Sequence, residues 1–132
     1  MVKRFKTTLD AETKIVELQS ALQTTTKAAI IRLAIAFSLK ESDDPRFVDG
    51  KEVKYSMKGK NGADYAISTI YADDEIIYKV LMEEKLGHSI TDEEFYPDLT
   101  SAHVERGIRL LHSEYKLRGN KNEFLEYLLE VI

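Results

Sequence analysis

The sequence contains no cysteine. Disulfides, thiolate metal sites, cysteine nucleophiles and cysteine-held iron–sulfur clusters are therefore excluded. It has no tryptophan, two prolines and six glycines among 132 residues. That leaves few breakers and favours long regular elements. No apolar run approaches the roughly 18 residues of a membrane-spanning helix. The start, MVKRFKTTLD, is basic and turns polar at once, so no secretory signal is expected. The lack of cysteine suits a reducing compartment, and a cytoplasmic protein is the expectation. Hydrophobic residues make up 43% and charged residues 32%, enough apolar material for one globular domain over residues 1–132.

The net charge of −4 conceals a polarised distribution. Residues 1–40 carry seven basic and three acidic side chains, whereas residues 61–100 carry two basic and ten acidic. A basic end on an acidic body can still meet a polyanion locally, because the field at close range follows nearby charges. An ordinary solvated surface with uneven statistics is the competing explanation.

Alternation over Val2–Leu9 predicts a short strand with Phe5, Thr7 and Leu9 on one face and Arg4, Lys6 and Thr8 on the other. Asp10 is a suitable cap for a first helix, whose stripe is Ala11, Ile15, Leu18 and Leu22. Thr24-Thr25-Thr26 interrupts it, and a second helix is expected from about Thr26 to Leu39. Its AAIIRLAIAFSL run is apolar nearly all round. A small domain has little interior in which to wrap such a helix, so burial against another subunit is expected, with a central core helix as the alternative.

Residues 51–70 read as a small hairpin turning at Asn61-Gly62, or as an irregular basic loop. A third helix should follow Asp73, bury Ile76, Ile77, Val80 and Leu81, and stop at Gly87. Thr91 with Glu94 forms a capping box before Pro97. The longest helix is expected from Asp98 to Leu117, lined by Val104, Ile108, Leu111 and Tyr115. A last helix begins near Asn120, with Phe124, Leu125, Leu128, Leu129 and Ile132 as its apolar face. The fold class is mainly α: a small helical domain with a short N-terminal strand, a ribbon-helix-helix-like start and the hairpin.

Catalytic patterns are sparse. His103 and His112 lie nine residues apart on one predicted helix and face opposite ways, so they do not chelate one metal together. His88 falls in a loop. Lys58-Gly59-Lys60-Asn61-Gly62 lacks the ending of a phosphate-binding loop, although its lysines suit phosphate contact. No metal, no cofactor and no enzymatic activity are expected. Binding remains. Two paired strands would expose Arg4, Lys6 and Thr8 to a major groove, and the amide end of the second helix near Thr25–Lys27 suits a phosphate. The candidate DNA contacts are Lys3, Arg4, Lys6 and Lys27 at one end, with Lys54, Lys58 and Lys60 in the loop.

Three blocks carry a family resemblance in their order and spacing. They are Arg32-Leu33-Ala34 with Ser38-Leu39, Asp49-Gly50-Lys51-Glu52, and Ala102-His103-Val104-Glu105-Arg106-Gly107. Together they resemble the DndE family of the bacterial DNA phosphorothioation system, a restriction-modification-type system that replaces a non-bridging phosphate oxygen with sulfur. The resemblance implies a small helical DNA-binding component that prefers nicked duplex and forms a homo-oligomer, a tetramer in particular. It also implies partners: a sulfur-transferring subunit and an ATPase-like subunit. Two alternatives stand beside it, a ribbon-helix-helix transcriptional regulator and a non-catalytic adaptor.

Overall fold

A computed structural model describes residues 4–53 and 62–131. The chain is mainly α, with a few short antiparallel strands. Strand β1 (Arg4–Lys6) is followed by α1 (Leu9–Leu22) and α2 (Lys27–Leu39). A two-residue-per-strand hairpin, β2 (Phe47–Val48) and β3 (Lys51–Glu52), comes next. Then come β4 (Asp64–Ala66), a short α3 (Ile67–Tyr71) and α4 (Glu75–Leu86). A kinked segment, Glu94–Leu99, leads into the long α5 (Thr100–Arg118), and α6 (Lys121–Val131) follows.

The N-terminal strand forms, but it is shorter than the alternation suggested. Thr8, not Asp10, caps α1: its hydroxyl accepts from the Ala11 amide at 3.1 Å. Helix geometry therefore starts at Leu9 and turns that side chain outward, while Phe5 and Thr7 stay buried. The strand pairs antiparallel with β4, matching Phe5 to Tyr65 and Lys6 to Asp64. Most of the first strand and the turn of the expected 51–70 hairpin lie outside the described residues. Of its second strand, Asp64–Ala66 forms β4 and pairs with β1, while Ile67–Tyr71 is helical rather than extended. Among the described residues the only hairpin lies earlier, around Asp49-Gly50. Both turn residues there take left-handed backbone (φ 53° and 79°), which a tight two-residue turn requires.

The second helix is where the sequence reading needs its main correction. α2 is the centre of this chain's own core. Ile30, Ile31, Ala34, Ile35, Phe37 and Ser38 are all buried, because α1, α3, α4 and α5 surround the helix. No second subunit is needed to cover it, so the expected burial against a partner loses its motive. α5 packs on α2 more extensively than on any other element. Gly107 sits at the crossing. A Cβ there would meet the Ala34 carbonyl oxygen at 1.9 Å and its carbon at 2.4 Å. Backbone thus approaches backbone, and only glycine fits.

The second correction concerns α4. Its predicted buried stripe faces out: Ile76 is 76% exposed, Ile77 57%, Val80 53% and Leu81 45%. The helix docks instead through Met82, which is fully buried, with Tyr78 and Leu86 beside it. The Thr91–Glu94 capping box forms as expected, with reciprocal bonds of 3.2 and 3.1 Å. α5 and α6 bury Val104, Ile108, Leu111, Phe124 and Leu128. Leu125 is half-buried, and Leu129 is exposed. Ile132 lies outside the described residues. No described helix is long and apolar enough to cross a membrane.

Candidate nucleic-acid interface

Strand alternation around the buried Phe5 turns Arg4 and Lys6 to solvent. Arg4 Nε donates to Asp64 Oδ2 at 2.9 Å, a half-exposed pair across the β1–β4 sheet. Lys6 is exposed and makes no ion pair among the described residues. Exposed pairs such as Arg4–Asp64 contribute little, about 0–1 kcal/mol, so a phosphate can compete for the guanidinium.

Lys27 sits in a tighter arrangement. Its ammonium donates to Glu12 Oε1 at 2.6 Å, and the Tyr65 hydroxyl donates to the same carboxylate at 2.9 and 3.1 Å. Burial, together with the adjacent Glu12 carboxylate, pushes the Tyr65 hydroxyl well above its ordinary pKa. Glu12 therefore links the start of α2 to β4, beside the strand that carries Arg4 and Lys6. The amide end of α2 is partly satisfied from within, since the Thr26 hydroxyl accepts from the Ala29 amide at 3.3 Å. Gly62 meets β1 closely: its amide donates to the Thr7 carbonyl, and a Cβ on it would lie 2.3 Å from that oxygen.

Of the seven predicted contacts, Arg4 and Lys6 therefore share one exposed strand. Lys27 is joined to that region through Glu12 and Tyr65, at the cost of its free charge. Lys3, Lys54, Lys58 and Lys60 lie outside the described residues. The intermolecular ribbon expected of a ribbon-helix-helix start meets a competitor, because one edge of β1 is already taken by β4 of the same chain.

A second polar cluster escaped sequence reasoning. Ser38 at the end of α2 and His103 on α5 meet at 2.7 Å from Oγ to Nδ1, both buried. Arg106 donates to Ser38 Oγ at 2.8 Å, to the Ser38 carbonyl at 2.7 Å and to the Asp43 carbonyl at 2.8 Å. With Arg106 donating to its oxygen, the Ser38 hydroxyl has its proton free for the imidazole. Burial, with Arg106 nearby, lowers the His103 pKa to about 3, so the ring is neutral at pH 7. Between His103 and Arg106 in the sequence and on another side of α5, Glu105 accepts from the Thr8 amide at 3.1 Å and from its hydroxyl at 2.7 Å. Burial pushes the Glu105 carboxyl up despite those bonds.

The signal for this cluster was present in the blocks that carry the resemblance: Ser38 interrupts an apolar run, and His103, Glu105 and Arg106 share one short block. Their geometry is that of a clamp. They fix α5 to the end of α2 and to the cap of α1, and Gly107 permits the close approach. Arg32, from the same blocks, donates to the carbonyls of Thr69 and Ile70 at the end of α3. Among the described residues, no group of three or more histidine, aspartate or glutamate side chains is placed to hold a metal ion.

A search of curated proteins finds no match for the chain. The family model for the DNA sulphur modification protein DndE matches residues 4–119, from β1 through the end of α5. That span contains the clamp and the β1–β4 face, and its match is decisive: the chain belongs to the DndE family, and its role lies in DNA sulphur modification.

Proposed function

We propose that this protein is the DNA-contacting component of a bacterial phosphorothioation system, binding nicked duplex through its phosphates and performing no chemistry of its own. The family match over residues 4–119 carries this reading. The exposed Arg4 and Lys6 supply a surface suited to it; Lys54, Lys58 and Lys60, outside the described residues, complete the set of candidate contacts. Lys27 contributes once a phosphate displaces its hold on Glu12. The Ser38–His103 pair does not suggest a nucleophile, because Ser38 is fully buried and Arg106 occupies its oxygen.

The protein works in the cytoplasm as a homo-oligomer, a tetramer, beside sulfur-transfer and ATPase-like subunits. Repetition of modest contacts across a symmetric assembly strengthens grip on a long polyanion. Leu9 and Val16, two turns apart on the outer face of α1, are exposed and available for such assembly. The adaptor alternative draws support from the ion pairs that occupy Arg4 and Lys27.

The test is a pair of titrations with one duplex sequence, nicked and intact, at moderate salt, with the oligomer measured by light scattering. Tighter binding to the nicked form by an oligomer is the expected result. Equal affinity removes the nick preference, and no binding leaves the adaptor reading.

A further inference from the structure

We infer that the outer face of α4 is a docking surface for an amphipathic helix of another protein, one with an apolar stripe and basic residues at both ends. Ile76, Ile77, Val80 and Leu81 share one side of the helix and are all about half exposed or more. Four large aliphatics in one contiguous stripe is an unusual cost for a solvated helix. The inward side of α4 is already occupied, since Tyr78 and Met82 pack into the chain's core.

Charge decides between occupants. At 100° per residue, Glu84 falls in the middle of the stripe at its C-terminal end. Asp73, in the turn before α4, closes the N-terminal end; both are exposed. Asp74 and Glu83 stand on the flanks. Of the nearby bases, Lys79 is engaged by Asp92 at 3.0 Å, and Lys85 stands at one edge. A second copy of this chain is a poor fit. Antiparallel two-fold pairing of the stripe sets Asp73 against Glu84 at both ends, and parallel pairing sets each acid against itself. A helix with lysine or arginine about 16 Å apart, some eleven residues along its axis, matches both acids while covering the four aliphatics. The same acids repel nucleic acid, so this face points away from bound DNA. Partner and DNA then occupy different surfaces.

The test uses the full chain and a synthetic amphipathic Leu/Lys peptide of about 14 residues, with a Leu/Glu peptide of the same leucine spacing as control. Fluorescence anisotropy should show one Leu/Lys peptide bound per chain and no binding of Leu/Glu. Ile77→Ser with Val80→Ser, both at exposed positions, should weaken the peptide about tenfold or more. Asp73→Asn with Glu84→Gln should weaken it less and flatten its salt dependence. Affinity of both double variants for nicked duplex should stay unchanged, a readout that separates this surface from the DNA-contact reading. Equal peptide binding by wild type and the serine variant overturns the proposal. So does sedimentation showing a wild-type oligomer that the serine variant reduces to monomer, which gives the stripe to a second copy.

Discussion

Lowering the pH should unfold this protein through His103. The imidazole is buried against Ser38 and faces Arg106, with Asp44 and Arg46 also within electrostatic reach. Its pKa falls from 6.5 to about 3 in the folded state. In the unfolded chain the ring takes a proton below its ordinary value, while in the folded chain it does not. Stability is therefore full above about pH 6.5 and is lost as the pH falls toward 3. At about 1.4 kcal/mol per unit, the loss is about 2 kcal/mol between pH 7 and pH 5 and about 4–5 kcal/mol by pH 3. That is a large share of the roughly 5–15 kcal/mol that holds a domain together. Glu105 works in the opposite direction, because its raised pKa removes stability as the pH rises through that range. The isolating comparison is His103→Leu, which fills a similar volume and does not titrate. Urea midpoints by circular dichroism at pH 7, 6 and 5 should fall more steeply in the wild type, by about 2 kcal/mol over the range. The variant starts lower, because the Ser38 hydroxyl loses its acceptor. Equal slopes in the two proteins would refute a neutral, buried His103.

Other consequences follow from the helix clamp. Gly107→Ala forces a methyl into the Ala34 backbone, so the melting curve should report a loss of about 3 kcal/mol. An unchanged midpoint would contradict the helix crossing. Glu105→Ala leaves the Thr8 amide and hydroxyl without their acceptor and should cost about 1–3 kcal/mol in urea unfolding. Arg106→Met deletes three donated bonds to Ser38 and Asp43; a similar loss is expected, with faster amide exchange at the end of α2.

Local chemistry made much of the fold legible. Glycines at 87 and 119 end helices in left-handed backbone, and Thr91 with Glu94 caps as its spacing indicates. Periodicity also placed α5, since Val104, Ile108 and Leu111 fall on one face and are buried. It could not say which neighbour covers an apolar face. α2 is wrapped by four elements of its own chain, a long-range fact that no window of sequence contains. α4 carries two apolar rows, and the row Tyr78, Met82, Leu86 goes inward while the more conspicuous aliphatic row is left outside. Strand pairing across some 60 residues was equally hidden, so the union of β4 with β1 could not be read from any local window. In the candidate interface, residue type singled out Arg4, Lys6 and Lys27 as candidates for phosphate contact, but the carboxylates that engage two of them come from other segments of the chain. The clamp residues were visible as a motif, and their structural purpose was not.

Phosphate contact is the centre of this account, and its most direct test is the salt dependence of affinity for a nicked duplex. Each phosphate neutralised releases counterions, so the logarithm of affinity should fall linearly and steeply with the logarithm of salt concentration. Replacing Arg4 and Lys6 together with alanine should reduce the slope by about two, as should replacing Lys58 and Lys60. A flat salt dependence in the wild type, or a slope that neither pair of substitutions changes, would contradict the account.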